Sequence, residues 1–223
     1  MSGVWVITGA SRGIGRAVAV ELAASERPLV VTATVAGHLD SLCAGLRDRG
    51  CVATPVALDL TARGAMQALD AALRDVEVAG LVNNAGVLVR QPLDRLSDEE
   101  IDRVISINLA GVMRVTRTCL PRMTAGARVI NIGSISGTVG TAEGSLYNAT
   151  KWGLTGLTRS WAEEWRQRGI VVAEVRPGAV DTDMLRQTPY APQMQAADVA
   201  RAVRFLALEA PPAVTGTSLD LFG

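Results

Sequence analysis

The chain has 223 residues, 48% hydrophobic and 20% charged, with 22 basic residues against 22 acidic ones. A formal net charge of zero removes any broad electrostatic case for nucleic acid or an anionic membrane surface, and the length suits one large α/β domain with an ample core. Of the 22 basic residues 21 are arginine and only Lys151 is lysine; the single histidine, His38, excludes multi-histidine metal sites and leaves one imidazole for any Ser/His or Cys/His arrangement.

Met1-Ser2-Gly3 leads straight into an apolar run with no charged leader or small-residue cleavage site, so a cytoplasmic protein without a signal peptide is expected. No apolar stretch approaches the about 18 residues of a membrane span. Strands are predicted at Val4–Thr8, Leu29–Thr34, Val52–Leu58, Gly80–Asn83, Arg128–Ile132 and Val171–Arg176, with a weaker seventh near Thr217–Leu221. Most are apolar on both faces, the pattern of a parallel sheet covered by helices on both sides. Between them, Ile14, Val18 and Leu22, and then Met66, Leu69 and Leu73, repeat at helical spacing and would lay apolar stripes against the sheet. Ser97-Asp98-Glu99-Glu100 is a capping-box signature opening a long helix toward Met123. Cys43, Cys51 and Cys119 form no C-x-x-C pair; they read as small buried hydrophobes in a reducing compartment. No repeat or long linker divides the chain, so residues 1–223 are expected to form a single doubly wound α/β domain.

The first strand runs into Gly9-Ala10-Ser11-Arg12-Gly13-Ile14-Gly15 and then a helix. Glycines at 9, 13 and 15 permit a tight turn and let a pyrophosphate approach the backbone at the positive end of the helix. The second strand ends in Thr32-Ala33-Thr34-Val35-Ala36, with no acid before Asp40. The carboxylate that commonly receives the ribose 2′-hydroxyl of NAD is therefore missing. Arg12 would instead face a 2′-phosphate through its planar fork, with Thr34 as a hydroxyl donor, which predicts NADP(H) with NAD(H) as the alternative.

Tyr147-Asn148-Ala149-Thr150-Lys151 places a tyrosine and the only lysine about one helical turn apart. Ser134 follows the strand Arg128–Ile132 at its carboxyl end, where doubly wound sheets carry their ligands, and Asn108 lies within the preceding long helix. The set is suited to proton transfer. A free phenol has a pKa of about 10, and an adjacent ammonium is expected to lower it.

Together these residues resemble the short-chain dehydrogenase/reductase family over essentially the whole chain. The resemblance rests on Thr8-Gly9-Ala10-Ser11-Arg12-Gly13-Ile14-Gly15, Asp59, Asn83-Asn84-Ala85-Gly86, Asn108, Ser134, Tyr147, Lys151 and Pro177-Gly178, continuing Ala179-Val180-Asp181-Thr182-Asp183-Met184. It is strongest toward the compact NADPH-dependent reductases, including those acting on 3-oxoacyl carrier proteins. The resemblance implies a Rossmann-type sheet of about seven strands. It makes Tyr147 the general acid or base, Lys151 a ligand of the nicotinamide ribose, Ser134 the holder of the substrate oxygen and Asn108 a support for a water-linked proton relay. Asp59 and Leu60 would meet adenine. Asn83, Ala85 and Gly86 would line the cofactor, joined by Pro177, Gly178 and Val180, and Thr182 would hold the carboxamide.

A short lid is expected around 183–196, with Met184, Leu185 and Tyr190 over the site and Val87 through Val89 on another wall; Glu143 is assigned to solvent. Trp161 and Trp165 read as core or subunit interface, and the resemblance implies a homodimer or homotetramer. The chain ends Asp220-Leu221-Phe222-Gly223 without the family's usual glycine pair, which puts the tetramer contact at that end in question. The leading reading is NADPH-dependent reduction of a ketone or aldehyde on a small molecule. A narrower one is reduction of an acyl chain on a carrier protein, with Arg122, Arg128, Arg166 and Arg168 as candidate docking cations. A third class is a non-catalytic NADP(H)-binding regulator, whose expected mark, a broken Ser/Tyr/Lys set, is missing from the sequence.

Overall fold

The computed structural model describes residues 3–223; the leader-free reading of Met1 and Ser2 lies outside them. Seven parallel strands form one sheet in the order β3-β2-β1-β4-β5-β6-β9. They are β1 (Val4–Ile7), β2 (Leu29–Ala33), β3 (Ala53–Ala57), β4 (Val78–Asn83), β5 (Arg128–Ile132), β6 (Val171–Pro177) and β9 (Ser218–Leu221). All seven predicted strands are present. A separate pair, β7 (Val180–Asp181) and β8 (Met194–Gln195), brackets the segment expected to act as a lid.

Strand alternation sends neighbouring residues into two cores. From β1, Trp5 and Ile7 join Val18 and Leu22 of α1 (Gly13–Leu22) and, later in the chain, Val199 and Val203 of α7 (Ala196–Arg204). Val4 and Val6 face the other way, with Leu69 of α3 (Ala65–Ala72) and Leu154 of α6 (Ser145–Glu164). The β1–β4 register sets Trp5 opposite Gly80, where a Cβ would lie 2.2 Å from the indole; only glycine lets the ring lie flat there. On β3 the exposed Pro55 is tolerated because that strand is the sheet edge, pairing only with β2.

The capping box forms as expected: Glu100 N–H donates to Ser97 Oγ at 3.2 Å and Ser97 N–H to Glu100 Oε2 at 3.0 Å. The helix it opens is not uniform. After α4 (Asp98–Ile105) the backbone widens into a π-helical turn over Ser106–Gly111 before α5 (Val112–Cys119). Apolar spacing does not reveal a single widened turn, and this one contains Asn108. The strand order reverses between β1 and β4, opening the crevice at the carboxyl ends that receives the site.

Candidate active site

At the β1–α1 turn, Gly9 and Gly13 have φ of +65° and +53°, a conformation that side chains other than glycine rarely take. A Cβ on Gly15 would sit 2.3 Å from the Gly9 carbonyl oxygen and 2.4 Å from Asn84 Nδ2. No side chain caps the first turn of α1, leaving its N-terminal amides open to an anion. A backbone cradle that any Cβ would fill, at an uncapped helix end, fits a dinucleotide pyrophosphate. Asn84 locks this turn to β4. Its Nδ2 donates to the carbonyls of Thr8 (2.9 Å) and Gly9 (3.0 Å), while Thr8 Oγ1 accepts from the amides of Asn84 and Ala85, each at 3.0 Å. The sequence motif contained Thr8 and Asn84, but nothing in their spacing indicated this role.

The remaining cofactor candidates lie along the same edge with different side-chain commitments. Thr34 is exposed just past β2. Asp59 accepts from the Thr61 amide (2.9 Å) and hydroxyl (2.7 Å), which hold its carboxyl below the ordinary value, and Leu60 beside it is buried. Asn83 turns its carboxamide into the sheet, donating to Thr116 Oγ1 (3.0 Å) and Asn131 Oδ1 (2.9 Å). Ala85 and Gly86 follow at the end of β4. Gly178 closes β6 by donating its amide to the Leu221 carbonyl at 2.8 Å. Val180 is buried, and Thr182 packs 3.3 Å from where a Cβ on Gly13 would lie. Arg12 is mostly exposed and pairs with Asp183 at 2.9 Å; Asp183 also meets Arg186 at 3.1 Å.

The residues expected to transfer protons converge from β5 and α6. Ser134 stands just beyond β5, where its Oγ accepts from the Ser136 amide at 3.1 Å, leaving the hydroxyl proton to donate. Tyr147 and Lys151 lie one turn apart on α6, with Lys151 Nζ 5.5 Å from the centre of the phenol ring. Lys151 is buried and donates to the Ile132 carbonyl at 2.9 Å. The expected lowering of the tyrosine is corrected here. Burial pushes the Tyr147 phenol up to about 12, opposed only by its hydrogen bond with Ser134. Burial also lowers Lys151 to about 8, with the Glu174 carboxylate acting in the opposite direction. The cost of burying charge outweighs the proximity of the ammonium.

Asn108 is held by three hydrogen bonds. Its Oδ1 accepts from Val87 N–H (2.9 Å), and its two Nδ2 protons go to the Val87 carbonyl (2.9 Å) and Thr150 Oγ1 (3.2 Å). The side chain thus fixes the Val87 wall against α6 one residue before Lys151. On the open side, the Arg90 guanidinium stacks 5.4 Å from the Tyr190 ring and donates to the Ala142 carbonyl at 2.9 Å, joining the 183–193 segment to the approach to α6. Glu143 is exposed. His38 is exposed in the turn after β2. The three cysteines are buried free thiols. Among the described residues no group of three or more His, Cys, Asp or Glu side chains is placed to hold a metal ion, and no helix is long and apolar enough to cross a membrane.

A doubly wound sheet with an open glycine cradle beside a Ser/Tyr/Lys cluster defines a dinucleotide-dependent oxidoreductase. The chain belongs to the short chain dehydrogenase family, whose description matches residues 3–192. It is 34% identical to the 3-oxoacyl-[acyl-carrier-protein] reductase FabG of Pseudomonas aeruginosa, over 99% of this chain and 96% of that protein. The structure of a short chain dehydrogenase from Burkholderia cenocepacia, in complex with NADP, superposes with a TM-score of 0.91 at 32% identity, covering 98% of this chain and 96% of that one. A 3-ketoacyl-(acyl-carrier-protein) reductase from Brucella melitensis, complexed with NADH, gives 0.89 at 27% identity, covering 99% and 97%.

Proposed function

We propose that the chain is an NADP(H)-dependent reductase of ketones or aldehydes, in which Tyr147 is the general acid. The observation that carries this reading is the convergence of Ser134, Tyr147 and Lys151 at the strand ends beside the glycine cradle. A bound NADPH would supply the hydride. With its phenol pushed up to about 12, Tyr147 is protonated at neutral pH and able to donate to the carbonyl oxygen. The Ser134 hydroxyl donates to the same oxygen and supports the developing alkoxide. As Tyr147 loses its proton, the Lys151 ammonium beside the ring stabilises the phenolate. Reduction is therefore the direction favoured near neutral pH; alcohol oxidation needs the deprotonated phenol and gains with alkalinity.

The preference for NADP(H) is supported by Arg12 at the turn, the lack of an acid after β2 and the NADP bound by the Burkholderia relative. A small substrate is favoured over a carrier-bound one because the candidate docking arginines are already committed. Arg122 donates to the Leu73 and Thr118 carbonyls and to Asp70. Arg128 donates to the Leu206 and Ala210 carbonyls, Arg168 to those of Leu120 and Met123, and Arg166 pairs with Glu163. The carrier-protein reading retains the support of the Pseudomonas relative. An exposed hollow lined by Met113, Arg117, Leu120, Trp161 and Trp165 supports pairing of α5 and α6 in a homodimer. Buried free thiols support a cytoplasmic location.

The test is NADPH oxidation over a panel of free carbonyls and 3-oxoacyl thioesters. Turnover of free ketones is expected, with Tyr147→Phe losing about a thousandfold in kcat while still binding NADPH. Unchanged turnover in that variant refutes the mechanism, thioesters far outperforming free ketones favours the carrier reading, and tight binding without any turnover favours a regulator.

A further inference from the structure

A carboxylate that follows three apolar residues inside a buried strand requires explanation. Glu174 on β6, within Val171-Val172-Ala173-Glu174-Val175, is fully buried. Thr155 on α6 donates to its carboxylate at 3.0 and 3.1 Å, and Ser218 on β9 donates at 2.7 Å. Thr155 lies one turn beyond Lys151 and also reaches the Lys151 carbonyl at 3.3 Å. The space for the carboxylate comes from Gly133, where a Cβ would fall 2.2 Å from Glu174 Oε1. Gly133 stands between Ile132, whose carbonyl takes the Lys151 ammonium, and Ser134. Glu174 therefore adjoins the cluster from two sides, through the Thr155 hydroxyl on α6 and against the Gly133 backbone between Ile132 and Ser134.

We propose that Glu174 is a positioning residue that keeps the charge on Lys151 inside the protein. Buried ammonium groups lose their proton readily unless an anion is at hand. The one neutral acceptor at 2.9 Å, the Ile132 carbonyl, orients the lysine without supplying charge. Glu174 supplies it; burial raises its carboxyl above the ordinary value, and the Ser218 and Thr155 hydroxyl donors act against that rise. The other groups facing this pair are few. Tyr147 on α6 is neutral until it transfers its proton; Arg176 on β6 acts on Glu174 but is itself bridged to Asp220 on β9 at 2.5 Å. β5 contributes carbonyls and no charged side chain at this end.

The inference rests on the reading of Lys151 as a partner of Tyr147, but its test does not depend on turnover. Because Lys151 is the only lysine, selective isotopic labelling of lysine gives one side-chain resonance whose titration reports this group alone. In Glu174→Gln, which keeps size while removing the charge and turning one acceptor oxygen into a donor, the Lys151 midpoint is expected to fall by about one pH unit, and the alkaline loss of kcat to move with it. Ser218→Ala removes one donor to the carboxylate and is expected to move the midpoint the same way by less, a second route if Glu174→Gln does not fold. An unmoved midpoint in a folded Glu174→Gln protein, or in Ser218→Ala where the first variant fails, overturns the proposal. If Tyr147→Phe instead retains full turnover while the midpoint moves, the functional reading fails and the electrostatic one stands.

Discussion

The two halves of the site are built by opposite means. At the β1–α1 turn recognition is made by leaving atoms out: Gly9, Gly13 and Gly15 clear a surface of backbone, and Asn84 braces it from behind. At β5, β6 and α6 recognition is made by burying groups that ordinarily seek water. Lys151 and Glu174 lie inside the protein, held by carbonyl and hydroxyl partners. The first half is a problem of volume and the second of charge. They are therefore expected to fail in different ways: added bulk damages the turn, and altered protonation or hydrogen-bond geometry damages the Ser134, Tyr147 and Lys151 cluster.

The sharpest separation is expected from Lys151→Arg. Charge is preserved, but a planar fork must replace a compact ammonium in a buried position bounded by the Ile132 carbonyl. A loss of about a hundredfold in kcat is expected, with cofactor affinity less affected. Near-normal kcat would mean that charge alone suffices there.

Gly15→Ala tests the other half. The new methyl group would meet the Gly9 carbonyl at 2.3 Å and Asn84 at 2.4 Å, so the turn must shift. Overpacking of this kind costs about 1–3 kcal/mol, expected as a lower Tm and a weaker NADPH Kd by roughly tenfold or more. If the Kd is unchanged and kcat falls instead, the division between the two halves is wrong.

Arg12→Ala should give the smallest effect. The residue is exposed and already paired with Asp183, so its loss is expected to reduce kcat/KM with NADPH by about tenfold and with NADH by much less. Equal losses with both cofactors would remove Arg12 from 2′-phosphate recognition and leave it as a partner of Asp183.

Legibility in the sequence followed the same division. Glycine spacing after a strand, branched aliphatic runs, the capping box and the Tyr147–Lys151 interval are local patterns. They located all seven sheet strands and the helices that carry the glycine turn and the Tyr147–Lys151 pair. The π-helical turn at Ser106–Gly111 was invisible because six residues are too few to establish a period different from that of the flanking α-helical turns. Asn108 and Asn84 were recognisable as motif residues, but their partners Val87, Thr150, Thr8 and Gly9 come from other elements. Glu174 carried one legible signal, an acid within an apolar strand. Its partners on α6 and β9 lie 19 and 44 residues away.

The sequence by itself determined the strand–helix alternation, the glycine turn and the one-turn interval between Tyr147 and Lys151, because each depends on spacing within a few residues. Tertiary structure alone decided how those residues ionise. Burial raises Tyr147 and lowers Lys151, and a carboxylate from a neighbouring strand opposes the loss of the lysine's charge. Desolvation and Coulombic interaction depend on what surrounds a group in space, and for this site those neighbours arrive from three strands and a helix distant in the chain.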